Sequence, residues 1–357
     1  MLQILTSLLI LLNPAVAFFT PSQAPIQNAP PIKAVYSDFD LDNYKLPISE
    51  SMFLAAQLVP AYPIRNWNAP DPQISAKIGL VFEVSRQRIL WQKDGLHEQR
   101  PIASLTKLMT ALVTMENSKL DDVFKVSKNA VATEGELGGL IVGEELTAKN
   151  LLYALLVESS NDAAVALAEG ISKKLAFDSA TRPDSPSGEA GARSGNNNLS
   201  PELLESSSES RIVEGYKLFV DVMNRKAKTM GLADTNFTDP SGLDPGNRSS
   251  AWDLNRLMQE VLKYPILQEI MRTKEIDFLS ADGKFSHHLT STDKLLGIVP
   301  EIIAGKTGYT EEAGNCMILA FQAPNQEGTV ISIIMDSQDR MAESEALVKW
   351  TKEAFLW

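Results

Sequence analysis

The chain has 357 residues, 44% of them hydrophobic and 22% charged, which suits a globular protein with one large domain or two medium ones. Its 33 Lys and Arg against 45 Asp and Glu give a net charge of −12; no nucleic-acid partner is expected, since that calls for a basic stripe. The lone cysteine, Cys316, excludes an internal disulfide, and three histidines without an H-E-x-x-H pattern argue against a protein-bound metal.

Ile4 to Leu12 is apolar apart from Thr6 and Ser7, and Ala15-Val16-Ala17 has the small-x-small form of a signal-peptidase site. Residues 1–17 therefore read as a signal peptide, with an uncleaved anchor as the alternative, and the protein as exported and extracytoplasmic. Residues 18–73, rich in Pro, Asn and Ala, read as a linker with one short helix near Ser49 to Leu58. The folded domain is expected to span residues 74–357, with a first strand in Lys77 to Val84. Ile78, Leu80, Phe82 and Val84 alternate with their neighbours, as in a half-buried strand, and Arg88 to Gln92 returns as a second strand.

Helical spacing then takes over. Leu105, Leu108, Met109, Leu112 and Val113 mark one helix, Ala148 to Val157 a second and Asn161 to Ile171 a third. Residues 172–210 shift to Ser, Gly, Asn, Glu and Pro and read as a disordered insertion, too poor in apolar side chains to offset its ordering entropy. Helix returns from Val213 to Met230, and Ser250-Ala251-Trp252-Asp253 resembles a capping box opening another. Cys316 to Gln322 and Thr329 to Asp336 are β-rich, with Cys316 expected in the core, and Glu343 to Phe355 reads as a final amphipathic helix. The order predicts an α+β fold: a sheet built from both chain ends, with a helical subdomain inserted between. Trp91, Trp252 and Trp350 are expected to be core or contact residues, and His287-His288 to face solvent.

Three short motifs carry the chemistry. Ser104-Leu105-Thr106-Lys107 opens a helix and puts hydroxyl and amine on one face. A serine attacks only when a base takes its proton. Lysine is that base only when neutral, so its pKa must fall from about 10.4 to roughly 7–8, which calls for burial and a second cation nearby. Ser159-Ser160-Asn161, between two helices, offers a hydroxyl to relay a proton and an amide to hold a substrate carbonyl. Lys306-Thr307-Gly308 offers the second cation and, on a strand edge, backbone groups for an added peptide strand.

In order, S-x-x-K, S-x-N and K-T-G are the signature of penicillin-binding proteins and serine β-lactamases. Arg100 to Thr110, Ser159 to Ala164, Phe237 to Leu243 with Ser250 to Leu254, and Lys306-Thr307-Gly308-Tyr309-Thr310 resemble serine D-alanyl-D-alanine carboxypeptidases of the low-molecular-mass penicillin-binding type, across residues 74–357 apart from the insertion. The resemblance implies a DD-peptidase-like fold with an antiparallel sheet and hydrolysis of the terminal D-Ala–D-Ala bond of peptidoglycan stem peptides. It implies no cofactor, and β-lactams as covalent inhibitors. It implies Ser104 as the acylated nucleophile and Lys107 as its base. Ser159 and Lys306 would shuttle protons or stabilise charge, and Asn161 would bind the substrate amide. The Ser104 and Tyr309 N–H groups would form the oxyanion hole beside Gly308, and Thr307 and Arg340 would hold the terminal carboxylate, a surface ion pair being the alternative for Arg340.

The chain departs from that pattern in three places. Ser160 replaces the usual Gly, Thr290-Ser291-Thr292-Asp293 stands where an Asn-rich stretch is common, and no C-terminal membrane anchor is seen. Rival readings are a D,D-endopeptidase acting on cross-links, a serine β-lactamase, for which no E-x-x-L-N follows Ser159, and a non-catalytic peptidoglycan-binding module, which would be expected to lack Ser104, Lys107 or Lys306.

Overall fold

Alternating apolar residues at both chain ends make the strands of one sheet. The computed structural model describes residues 63–133, 139–181, 217–324, 326 and 328–357. From the N-terminal side come β1 (Ile64–Arg65), β2 (Ile78–Glu83), β3 (Arg88–Lys93) and β4 (Arg100–Pro101). A 3-10 turn (Ala103–Thr106) leads into α1 (Lys107–Asn117), followed by β5 (Val123–Lys125), α2 (Lys128–Val131), β6 (Glu145–Thr147) and α3 (Ala148–Tyr153). Then come α4 (Asn161–Thr181), α5 (217–229), β7 (Arg248–Ser249), α6 (Ala251–Val261) and α7 (Pro265–Met271). The C-terminal part supplies β8 (Glu275–Leu279), β9 (Ser286–Thr290), β10 (Ile302–Thr310), β11 (Gly314–Gln322), β12 (Thr329–Ser337), α8 (Arg340–Glu353) and β13 (Phe355–Leu356).

The main sheet is antiparallel with order β10-β11-β12-β2-β3, so the two chain ends meet at β12 and β2, with Ile331 opposite Phe82 and Ile333 opposite Leu80. The strand expected to be half-buried is buried on both faces: Ile78, Leu80 and Phe82 pack towards the helical subdomain, while Val81 joins Leu319, Phe321, Ile334, Leu347 and Trp350 on the other side. Two covered faces explain why β11 and β12 read as near-continuous apolar runs. Strand β10 lies at the sheet edge, where its outer backbone is open to an added strand.

The front layer centres on α1, buried from Lys107 to Thr114, which includes the apolar residues its spacing predicted. Ser250 caps α6 by accepting the Asp253 N–H at 3.2 Å, but the Asp253 carboxylate does not close the box. It accepts instead from Asp234 N–H at 2.7 Å and Thr235 Oγ1 at 2.8 Å.

Three further expectations are corrected. Part of the stretch read as linker is folded: β1 pairs with β13, and the Trp350 indole N–H donates to Pro70 O at 2.9 Å. Helix α4 continues to Thr181, into the stretch read as disordered. His287 is buried, with Nε2 2.8 Å from Glu144 Oε2; β9 alternates, so only His288 of the pair faces out. Trp91 packs on Trp350 at 6.2 Å and Trp252 edge-on to Phe82 at 5.8 Å. Cys316 is buried, as its apolar run predicted. The signal peptide, the helix near Ser49 to Leu58 and the insertion from 182 to 210 lie outside the described residues. No helix among the described residues is long and apolar enough to cross a membrane.

Candidate active site

Two of the three motifs are delivered by local irregularities in the backbone, and the third lies in the regular strand β10. Ser104 sits in the 3-10 turn before α1, just after Ala103, whose φ of +47° is left-handed. Such a φ is unfavourable for a residue with a Cβ and persists only where its surroundings enforce it. They do: Gly242 packs so tightly here that a Cβ on it would lie 2.0 Å from Ala103 O. Helix α3 widens into a π-helical turn (Ala154–Glu158), and Ser159 follows at φ +68°. That wide turn ends with Ser160 N–H donating to Ala154 O at 2.9 Å and swings Ser159 towards the cleft. Ser160, the residue in place of Gly, does not narrow the cleft: it is fully buried and its Oγ accepts the Ala163 N–H at 3.0 Å, capping α4.

A cleft of about 270 Å³ is lined by Ser104, Ser159, Asn161, Thr307, Gly308, Tyr309 and Arg340. Lys107 and Lys306 lie beneath it, 0% and 1% exposed, so all nine singled-out residues gather at one place. Lys107 Nζ lies 2.8 Å from Ser104 Oγ, 2.7 Å from Asn161 Oδ1 and 2.8 Å from Ser241 O. Burial lowers its pKa to about 7, against the pull of Asp239, which raises it. Burial alone thus does most of what the sequence reading shared with a second cation.

Lys306 Nζ donates to Ser159 Oγ and to Thr307 O, each at 2.8 Å. Its pKa is held well below the ordinary lysine range, first by burial and then by the charges of Lys107 and Arg340, with Asp293 opposing. The Arg340 guanidinium donates to Gly308 O at 2.8 Å and Asn315 Oδ1 at 3.3 Å, and reaches the cleft instead of a surface ion pair. Gly308 lets two segments pack closely: a Cβ there would stand 3.0 Å from Ile102 O and 3.2 Å from Ser104 N, so β10 runs against the turn that holds Ser104. Tyr309, next along, is 59% exposed at the cleft rim.

Sequence reasoning matched Phe237 to Leu243 as a resemblance but gave Ser241 and Asp239 no role. The Asp239 carboxylate accepts the N–H groups of Ser241, Gly242 and Asp244 at 2.6, 2.7 and 2.8 Å, and the side chains of Ser241 and Asn247. Thr110 of α1 donates its hydroxyl to Pro240 O at 2.6 Å. One buried anion therefore folds the loop, and the loop aims a carbonyl at Lys107. Thr292 was noticed only as a departure; its Oγ1 lies 2.8 Å from Thr307 Oγ1.

This geometry can be compared with known proteins. A family model described as D-alanyl-D-alanine carboxypeptidase, peptidase S11, matches residues 65–175 and 210–339. The chain is 30% identical over 262 residues to the D-alanyl-D-alanine carboxypeptidase DacF of Bacillus subtilis, a match covering 72% of this chain and 56% of DacF. It is 25% identical over 288 residues to a D-alanyl-D-alanine endopeptidase of Escherichia coli, covering 79% of both chains. The crystal structure of the Streptomyces K15 DD-transpeptidase superimposes with a TM-score of 0.63 at 24% identity, over 79% of this chain and 98% of that one, a likeness of fold. The chain belongs to the D-alanyl-D-alanine carboxypeptidase family, peptidase S11.

Proposed function

We propose that the chain hydrolyses the terminal D-Ala–D-Ala bond of peptidoglycan stem peptides through an acyl-enzyme on Ser104. The observation that carries this is the surroundings of the Lys107 amine. A neutral amine has two N–H donors and one lone pair. Asn161 Oδ1 and Ser241 O, at 2.7 and 2.8 Å, take the two donors. The lone pair is left facing Ser104 Oγ at 2.8 Å, within reach of its proton. With a pKa of about 7, half the Lys107 amines are in that neutral form at neutral pH.

The scissile carbonyl carbon is attacked by Ser104 Oγ as the hydroxyl proton passes to Lys107. The resulting oxyanion is held by the N–H groups of Ser104 and Tyr309; the closeness of Gly308 to Ser104 N supports this pairing. Ser159, which accepts a hydrogen bond from Lys306, gives its proton to the leaving D-alanine amine and takes in its place the proton that Lys107 received from Ser104, so Lys107 is neutral again. Asn161 and the β10 edge hold the peptide, and Thr307 and Arg340 hold its terminal carboxylate. Water then releases the shortened peptide. Residues 1–17 act as a signal for export, so the enzyme works in the extracytoplasmic space where peptidoglycan is built, and β-lactams acylate Ser104 as mimics of the dipeptide.

The test pairs wild type with Ser104→Ala, both lacking residues 1–17. Labelling by a fluorescent penicillin and D-alanine release from a D-Ala–D-Ala peptide are expected only in wild type. A second reading, cleavage of cross-links, is favoured by the similarity to the Escherichia coli endopeptidase. Release from cross-linked dimers but not from the linear peptide would establish it instead. A folded wild type that neither labels nor releases would contradict both.

A further inference from the structure

A second cleft, of about 260 Å³, opens beside the turn after β2 and shares no lining residue with the first. Gln87 of that turn lies beyond Glu83, which is level with Val330, Phe321 and Ile302 across the sheet; Gly308 and Tyr309 lie at the other end of β10. One face of α6 forms the cleft wall. Trp252, Asn255 and Gln259 recur there at helical spacing, with Met230, just past α5, lining it as well.

Asn255 is the anomaly. It is 0% exposed yet borders the cleft, and neither its Oδ1 nor its Nδ2 has a hydrogen-bond partner among the described residues. Burying a carboxamide without partners is costly, and native proteins seldom leave both of its ends bare. Its neighbours are satisfied. Gln87, left-handed at φ +53°, donates from Nε2 to Val84 O and Gln259 Oε1, each at 2.8 Å. Arg256 donates to Gly231 O and Met230 O at 2.6 and 2.5 Å, and Lys263 pairs with Glu260 at 2.6 Å. Every charged side chain lining this cleft therefore already has a partner. What remains is the donor and acceptor of Asn255 and the apolar surfaces of Trp252 and Met230. The Trp252 ring is fixed by Phe82 at 5.8 Å and His97 at 6.0 Å, so its surface is set before a ligand arrives.

Such a cleft selects a neutral ligand that carries an amide beside an apolar face. An acetamido sugar has both: its amide N–H and C=O complement Asn255, and its ring C–H groups pack on Trp252. A stem peptide brings charges that no unpaired side chain here answers. We infer that this cleft binds an N-acetylated amino sugar, and so holds the glycan of the polymer whose stem peptides are trimmed at Ser104. The inference rests on the proposed function only for which polymer supplies the sugar.

The test uses the full chain carrying Ser104→Ala, so that nothing is cleaved, titrated by calorimetry with a β-1,4-linked tetramer of N-acetylglucosamine. Saturable binding is expected, and at least about tenfold weaker binding of the glucose tetramer, which has hydroxyls in place of the acetamido groups. Asn255→Leu keeps the volume and removes the amide. Affinity for the acetylated tetramer should fall at least about tenfold, while the denaturant midpoint holds or rises. In the chain that retains Ser104, the same substitution should leave penicillin acylation unchanged. No binding by the folded protein at millimolar sugar would overturn the inference, as would equal binding of the two tetramers. Binding undiminished by Asn255→Leu would also overturn it and leave the amide as the seat of a buried water. A D-Ala–D-Ala-terminated peptide whose binding is lost in Asn255→Leu would put a peptide in the cleft in place of the sugar. Failure of the wild type to release D-alanine would leave all these binding results standing and sink only the reading of function.

Discussion

The two faces of the main sheet are built on different terms. The rear layer of Val81, Leu319, Phe321, Ile334, Leu347 and Trp350 is apolar side chains packed between strands and helix α8. The front layer has a larger apolar core, yet it buries Lys107, Lys306 and Asp239, and includes Ala103 and Ser159 in left-handed conformations. Burying charge costs several kcal/mol per group unless it is paired or neutralised, and left-handed non-glycine residues cost about 1–3 kcal/mol each. The rear is organised for stability, and the front spends part of it to hold an amine neutral beside a serine.

Substitutions on the two faces should therefore separate activity from stability. Ser104→Ala should lower D-alanine release by at least about a thousandfold and abolish penicillin labelling, while thermal unfolding stays close to wild type. Phe321→Ala, on the rear, should do the opposite: a loss of about 3–5 kcal/mol in denaturant unfolding, with kcat unchanged in the protein that remains folded. Asp239→Asn should blur the division, because its carboxylate both folds the 239–247 loop and aims Ser241 O at Lys107. Loss of its charge-assisted hydrogen bonds is expected to cost about 2–3 kcal/mol of stability together with a slower acylation, read from the same preparation by unfolding and by penicillin binding. Ser160→Ala, which removes the cap of α4, should cost about 1 kcal/mol and leave acylation almost unchanged.

The same division explains what the sequence disclosed. Strands β2, β11 and β12 were legible because alternation or continuous apolar runs are side-chain patterns, and the three motifs because nucleophile, base and cation are side-chain chemistry. Ser241 O and the π-helical turn before Ser159 were not, since a backbone carbonyl or a widened turn carries no residue type of its own. Asp239 looked like any loop aspartate until five donors were found around it. His287 could have been placed correctly: two histidines in succession on a strand must face opposite ways, and the reading put both outside. Residues 63–73 lacked periodicity and are ordered by the far end of the chain, Ala354 to Leu356, a partnership no local pattern reveals.

The central claim is that Lys107 is a neutral amine held beside Ser104, and its protonation can be followed directly through the rate of acylation. A group whose pKa is lowered by burial gains its proton, and its charge, as pH falls through about 7. The second-order rate of penicillin acylation of the wild-type protein should therefore be measured from pH 5 to pH 10. The expected result is a rise with a midpoint near 7 and a loss of about tenfold per pH unit below it. A rate that is flat across that range, or that rises only near pH 10 as for an ordinary lysine, would contradict the account.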